Sequence, residues 1–179
     1  MKAAYGAWKS PITSDLIIAE SIGISAPAFH QCSDGTNCLF WIESRPQEGG
    51  RNVLVRREES GIETDITPSP FNIRTRVHEY GGGSFVLHDD MIIFSNFSDQ
   101  QLYIQSFNNE QPLKLTHSPD LRFANGVMDS ARERLITVIE DHGGAVLEPE
   151  NKIGSVDINS GQVTTLVQGH SFFSTPVLN

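Results

Sequence analysis

Cysteine is nearly absent: two occur in 179 residues, Cys32 and Cys38, which is too few for a disulfide framework. They flank the turn Ser33–Asn37. If that turn closes a hairpin the two thiols face each other across neighbouring strands, and a reduced pair is the expectation in a reducing compartment. No apolar run approaches the roughly 18–20 residues that cross a bilayer, so no membrane association is expected. Met1 to Ser10 has no apolar stretch of the secretory type, which makes the cytoplasm the expected location. The triplet Asn96-Phe97-Ser98, formally a glycosylation acceptor, is then a chance match. Basic residues are outnumbered, 13 against 22 acidic, for a net charge of -9. Such a surface repels phosphate backbones and argues against nucleic acid as a partner.

Catalytic signatures are also missing. No Gly-x-Ser-x-Gly nucleophile elbow occurs; Ser84 follows Gly81-Gly82-Gly83, but the position two residues on is Val86. There is no Gly-x-x-x-x-Gly-Lys phosphate loop, and the glycine run lacks the third spaced glycine of a dinucleotide loop. His142-Gly143-Gly144 bears a faint likeness to an esterase oxyanion loop but lies between strand-like segments with no nucleophile, as a connecting loop would. The histidines, at 30, 78, 88, 117, 142 and 170, are scattered, with no His-x-x-x-His pair and no cysteine cluster beside them. Neither a metal nor a cofactor is expected.

What remains is strand chemistry. Hydrophobic residues make up 38% and charged residues 20%, a balance suited to a packed globular chain. Cys38–Ile42, Arg51–Val55, Met91–Phe94 and Leu135–Ile139 are short runs rich in branched and aromatic residues, bounded by turn clusters such as Ser33-Asp34-Gly35, His88-Asp89-Asp90 and Asn159-Ser160-Gly161. One helix is expected, from Pro11 to about Ala19, with Ser10 as its cap and Gly23 closing the segment.

The strands repeat. Ile66-Thr67-Pro68, Leu115-Thr116-His117 and Leu166-Val167-Gln168 each close a unit at nearly even spacing. In the second unit four strands are predicted, Gly83–Leu87, Met91–Asn96, Leu102–Phe107 and Leu113–Thr116. Four short strands in about 40–50 residues is the period of a propeller blade. The expected class is therefore all-β: a partial β-propeller of about three four-stranded blades and the start of a fourth. The predicted division is an N-terminal segment, 1–23, then blades at about Ile24–Pro68, Phe71–His117 and Leu121–Gly169, with a further one beginning at Ser171–Asn179.

One stretch stands apart. Arg74 to Gly83 packs two Arg, a His, a Glu and a Tyr ahead of three glycines. Glycine lets backbones approach closely, as at an axis-lining strand. The charged side chains suit either an internal ion-pair network or direct ligand contact.

Several runs carry a resemblance: Trp8 to Thr13, Glu43 to Arg51, Asp65 to Pro68, Arg76 to Gly83 and Phe94 to Gln100. In that order they resemble the N-terminal propeller of prolyl oligopeptidase-family serine peptidases, nearest to the bacterial group of dipeptidyl aminopeptidases and acylaminoacyl peptidases. The resemblance implies a ring of about seven blades capping a C-terminal α/β-hydrolase domain that supplies Ser, Asp and His; no residue here matches that triad, so no catalytic residue is carried over. It implies a part in gating or orienting peptide substrate, with Arg76, His78, Glu79 and Tyr80 as substrate-facing candidates. Related aminopeptidases hold the substrate's amino terminus with propeller carboxylates; the family pattern does not assign that role to Glu79. The implied partners are a peptide substrate and the hydrolase domain. The open faces of an incomplete ring, with Phe172-Phe173, Val177-Leu178 and an unpaired strand at Ser174–Asn179, lead to an expectation of self-association. A non-catalytic propeller that binds a protein or peptide, or a purely structural cap, are the other readings, and the reading frame past Asn179 separates them.

Overall fold

The computed structural model describes residues 4–13, 21–108, 111–144 and 148–179. Among these the chain builds three four-stranded antiparallel sheets, each with its strands in sequential order, so the fold is all-β and propeller-like without closure. The first sheet holds β1 (Gly23–Gln31), β2 (Asn37–Arg45), β3 (Arg51–Glu58) and β4 (Glu63–Asp65). The second holds β5 (Phe85–His88), β6 (Met91–Ser95), β7 (Leu102–Ser106) and β8 (Leu113–Lys114). The third holds β9 (Leu121–Asp129), β10 (Arg134–Asp141), β11 (Glu150–Asp157) and β12 (Val163–Val167). The four strands predicted for the second unit are thus all present, with no end moved by more than two residues.

Side-chain alternation decides how the sheets stack. On β6, Ile92 and Phe94 point into a cluster with Phe40, Ile42 and Leu54 of the first sheet and Ile66 just past it, while Ile93 between them points into a cluster with Phe123, Leu135 and Ile139 of the third. The middle sheet is therefore buried on both faces, which is why Met91–Phe94 reads as an unbroken apolar run rather than an alternating one. β2 shows the other case: Phe40 and Ile42 face the second sheet, and Trp41 packs with Val53 and Val55 on the opposite face.

The repeat seen in the sequence has a hydrogen-bonding cause. Thr67 Oγ1 accepts from the backbone N–H of Leu54 at 2.9 Å, and Thr116 Oγ1 accepts from Leu102 N–H at 2.9 Å. In both blades a buried threonine just past the outer strand closes a ladder position on the third strand, where the chain has already turned away. Val167 has no hydroxyl, and the third blade instead pairs Ile153 with Val167 directly in the ladder.

The expected helix from Pro11 to Ala19 lies mostly outside the described residues; at its start, Ser10 Oγ accepts from Ile12 N–H at 3.0 Å. The helical elements among the described residues are two 3-10 turns, Pro46–Glu48 and Ser130–Arg132, and no helix there is long and apolar enough to cross a membrane. Asn96 is buried and its amide is spent inside the fold, accepting from Asn72 N–H and donating to Ser98 and Asp99, so it offers no glycosylation site in the folded chain. Cys38 lies on β2, but Cys32 falls one residue past β1, in the turn itself, where its N–H bonds Thr36 O. Both cysteines are free thiols. Residues 171–179, the expected start of a fourth blade, carry no strand. There Phe173 packs on Val77, Ala124 and Val138 of the third sheet's far face, while Val177 stays exposed.

Replacing Thr116 by Val removes the acceptor for a buried N–H and should cost about 1–3 kcal/mol, lowering Tm by about 2–4 °C per kcal/mol in a chain of this size. Thr116→Ser keeps the oxygen and should lose less than half as much. Thermal melts of the two variants check this, and equal losses would remove the hydrogen bond as the cause.

Candidate functional site

The segment from Ile66 to Ser84 joins the first sheet to the second without strands of its own. It is stitched to the β6–β7 loop: Arg74 N–H bonds Ser95 O at 3.1 Å and Arg76 N–H bonds Gln100 Oε1 at 2.7 Å. Its side chains alternate. Ile73, Thr75 and Val77 are buried, and Arg74 and Arg76 project outward, where both guanidiniums lie over the Phe97 ring at 5.0 and 4.4 Å.

Val77 anchors the segment on the third sheet, and the chain then reverses through two left-handed residues, His78 (φ 57) and Glu79 (φ 63). Such a conformation is costly for residues with a Cβ, so something must hold it. The holder is Glu140 at the end of β10, only 2% exposed. Its Oε1 accepts from His78 N–H at 2.9 Å; its Oε2 accepts from His142 Nε2 at 2.9 Å and Arg122 at 3.4 Å. A carboxylate this buried is tolerated only with its lone pairs occupied and a cation close by, and both conditions are met. Arg122, from β9, also donates to Arg76 O at 3.2 Å and to the Glu79 carboxylate at 2.9 Å.

The three glycines follow at once. Gly81 has φ +90, and a Cβ there would sit 3.1 Å from Thr75 O. Cβ atoms on Gly82 and Gly83 would come within 3.1 and 3.0 Å of Asn125 Oδ1, which accepts from Gly83 N–H at 2.6 Å while Asn125 N–H bonds Gly83 O at 2.8 Å. The glycine run thus lets the loop lie flat on β9, the close approach expected from the sequence.

The four sequence candidates end in different places. Glu79 projects outward with a 79% exposed side chain, and its bond to the Arg122 guanidinium and that charge hold its carboxyl below the usual carboxylate range. Tyr80 is 78% exposed. Arg76 is exposed on Phe97. The His78 ring is buried: it stacks on Phe172 at 4.2 Å, and its Nε2 donates to Phe173 O at 3.3 Å. Tyr80 and the glycines line a cavity of about 730 Å³ between β1 and β5, with Phe29, Ile42 and Ile73 as apolar wall and His30 and Arg74 as polar groups. Glu140, Arg122 and Asn125 were not among the sequence candidates. The one local signal was a glutamate directly after the apolar run Leu135–Ile139, where a strand face is otherwise buried. Among the described residues no group of three or more His, Cys, Asp or Glu side chains is arranged to hold a metal ion.

Removing the buried carboxylate with Glu140→Ala should cost about 3–5 kcal/mol, because a guanidinium and a backbone N–H lose their partner inside the fold. Glu79→Gln changes only an exposed pair and should leave Tm within about 1–2 °C of the parent. Denaturant unfolding of both variants makes the comparison, and a large loss for Glu79→Gln would make Glu79 part of the framework.

Comparison with known proteins gives the same fold. No protein-family model matches the chain, and no curated protein matches it. Among solved structures it is similar to a puromycin-hydrolysing peptidase of Mycobacterium tuberculosis, at 29% identity and a TM-score of 0.82, over 98% of this chain and 29% of that one. Two structures of puromycin hydrolase match at 29% identity and TM-scores of 0.76 and 0.75, over 95% of this chain and 28% of theirs. The chain is thus similar, over nearly its whole length, to the propeller of peptidases of the prolyl oligopeptidase family, and it spans less than a third of their length.

Proposed function

We propose that this chain is the propeller part of a serine peptidase of the dipeptidyl aminopeptidase or acylaminoacyl-peptidase type, and that it orients peptide substrate for an α/β-hydrolase domain. The observation that carries the reading is the Glu79 carboxylate: ionised, exposed and fixed by Arg122, next in sequence to Tyr80, which lines the cavity. A carboxylate so placed suits the ammonium of a substrate's amino terminus, with Tyr80 giving an aromatic surface beside it. Puromycin, the compound named for the similar peptidases, is the first small substrate to try. The bond-making groups of such a reaction, a serine with its histidine base and acidic orienter, belong to the hydrolase domain in this reading, and the propeller acts on binding and access. The proposed location is the cytoplasm.

In the complete enzyme, Glu79→Gln should raise KM about 2- to 5-fold for peptides with a free amino terminus, the loss of roughly one exposed charge pair. The same peptides acetylated at the amino terminus should be unaffected. Steady-state kinetics on matched pairs decide it, and equal effects on both would leave Glu79 without a substrate role.

Self-association of the chain by itself is part of the same proposal. Phe29 on β1 is 86% exposed and Ile24 on the same strand is also exposed, so this strand leaves apolar surface open to a second copy of the chain. Light scattering over a concentration series should show a mass that rises towards a dimer; a constant monomeric mass at high micromolar concentration would exclude it.

A further inference from the structure

The two cysteines meet at the junction of the first and second blades. Their Sγ atoms lie 3.7 Å apart. Cys38 is 3% exposed on β2, while Cys32 is half-buried in a turn closed by Gly35 N–H on Cys32 O. The turn docks on the second blade: Ser33 N–H and Ser33 Oγ both donate to the Asp90 carboxylate, and His30 Nε2 donates to Asp89 O. A cavity of about 330 Å³ opens beside both thiols, lined by Asp34, Glu58 and Asp90 with Arg56 as the one guanidinium, which already donates to Glu58.

We propose that Cys32 and Cys38 form a thiol–disulfide exchange site, at which a low-molecular-weight disulfide enters this cavity and is reduced as the two cysteines are joined. The division of labour follows from exposure. Cys32, the accessible sulfur, attacks one sulfur of the small disulfide as thiolate; an S–S bond forms to Cys32 and one small thiolate leaves. Cys38 then gives up its proton and attacks Cys32 Sγ, and the second small thiolate leaves. Two cysteine thiols lose two protons and two electrons, and one disulfide becomes two thiols. The closing movement falls on Cys32, which sits in a turn rather than in the ladder. Burial, the neighbouring Cys38 thiol and the Asp90 and Asp34 carboxylates push the Cys32 thiol up to about 11, so the exchange is slow at neutral pH and quickens as the solution is made alkaline. With three carboxylates against one guanidinium on the wall, a cationic disulfide is drawn in and an anionic one is repelled.

The bond would tie the β1–β2 hairpin across its own turn, at the far end of β5 from Glu79, so its readout is covalent state and stability rather than ligand binding. The purified chain is incubated at pH 8.5 with excess cystamine, quenched in acid, denatured, alkylated and weighed intact. Wild type should lose both alkylatable thiols and about 2 Da, reversibly with dithiothreitol, with a Tm raised by about 5 °C. Cys38→Ser should stop at one cysteamine adduct on Cys32, and Cys32→Ser should stay unmodified. Cystamine should react at least about tenfold faster than oxidised glutathione. Two free thiols, a mixed disulfide that persists in wild type, or a disulfide-linked dimer would each overturn the proposal; equal rates for the two reagents would remove the cavity from it.

Discussion

The structure depends on one constraint: a four-stranded sheet with two apolar faces must have a neighbour on each. The second blade satisfies it completely, because successive residues of β6 are claimed in turn by the first sheet and the third, Ile92 and Phe94 by one and Ile93 by the other. Everything else is arranged around that double burial. The threonines close the outer strands within their own blades, while Ser95 Oγ donating to Phe123 O and Gln105 Nε2 donating to Ile66 O tie neighbouring blades together. The outermost faces obey the same demand with whatever chain is near. Trp41 gathers Val53 and Val55 on the first sheet, and Val77 and Phe173 settle on Val138 of the third.

The connection between the first two blades shows how a local cost becomes a functional shape. Two successive residues with side chains, His78 and Glu79, adopt left-handed backbone, which is uncommon for any residue with a Cβ and least suited to the glutamate. The reversal holds because a carboxylate from a different blade, Glu140, takes the His78 N–H, and because Asn125 clamps Gly83 from both sides. Holding and presenting are therefore divided between neighbours in sequence. His78 faces inward and is stacked under Phe172; Glu79 is turned outward onto Arg122. The left-handed turn is what allows adjacent residues to point in opposite directions, His78 into the framework and Glu79 to the surface.

What could be read from the sequence was local or periodic. Turn residues bounded the strands, apolar runs marked the doubly buried ones, and the threonines Thr67 and Thr116 recurred because the same ladder position needs the same oxygen in each of two blades. The glycine run was legible for the same reason, since only a close backbone approach calls for three in a row. The rest depended on pairs far apart in the chain. Nothing near His78 announces Glu140, 62 residues on, and nothing near Gly83 announces Asn125, 42 residues on. The candidate list therefore named one side of the cluster and missed the other, and it grouped His78 with Glu79 where burial separates them. Cys32 was misplaced onto a strand for a smaller reason: the hairpin turn begins one residue earlier than the spacing of the cysteines suggests.

The separation of framework from surface also limits what chemistry the cluster can support. Glu140 is buried, with a bond to a backbone N–H, another to His142 and a guanidinium within reach, so its oxygens are committed inside the fold. It is poorly placed for general acid–base work, which needs a group within hydrogen-bond reach of a reacting atom. Glu79 has the opposite character. It is solvated, fixed by one guanidinium and kept ionised, so it can lend charge to a ligand without moving a proton. A pair divided in this way keeps one carboxylate as framework and leaves the other as a fixed charge on the surface, which is how a loop without strands of its own comes to carry an organised polar cluster.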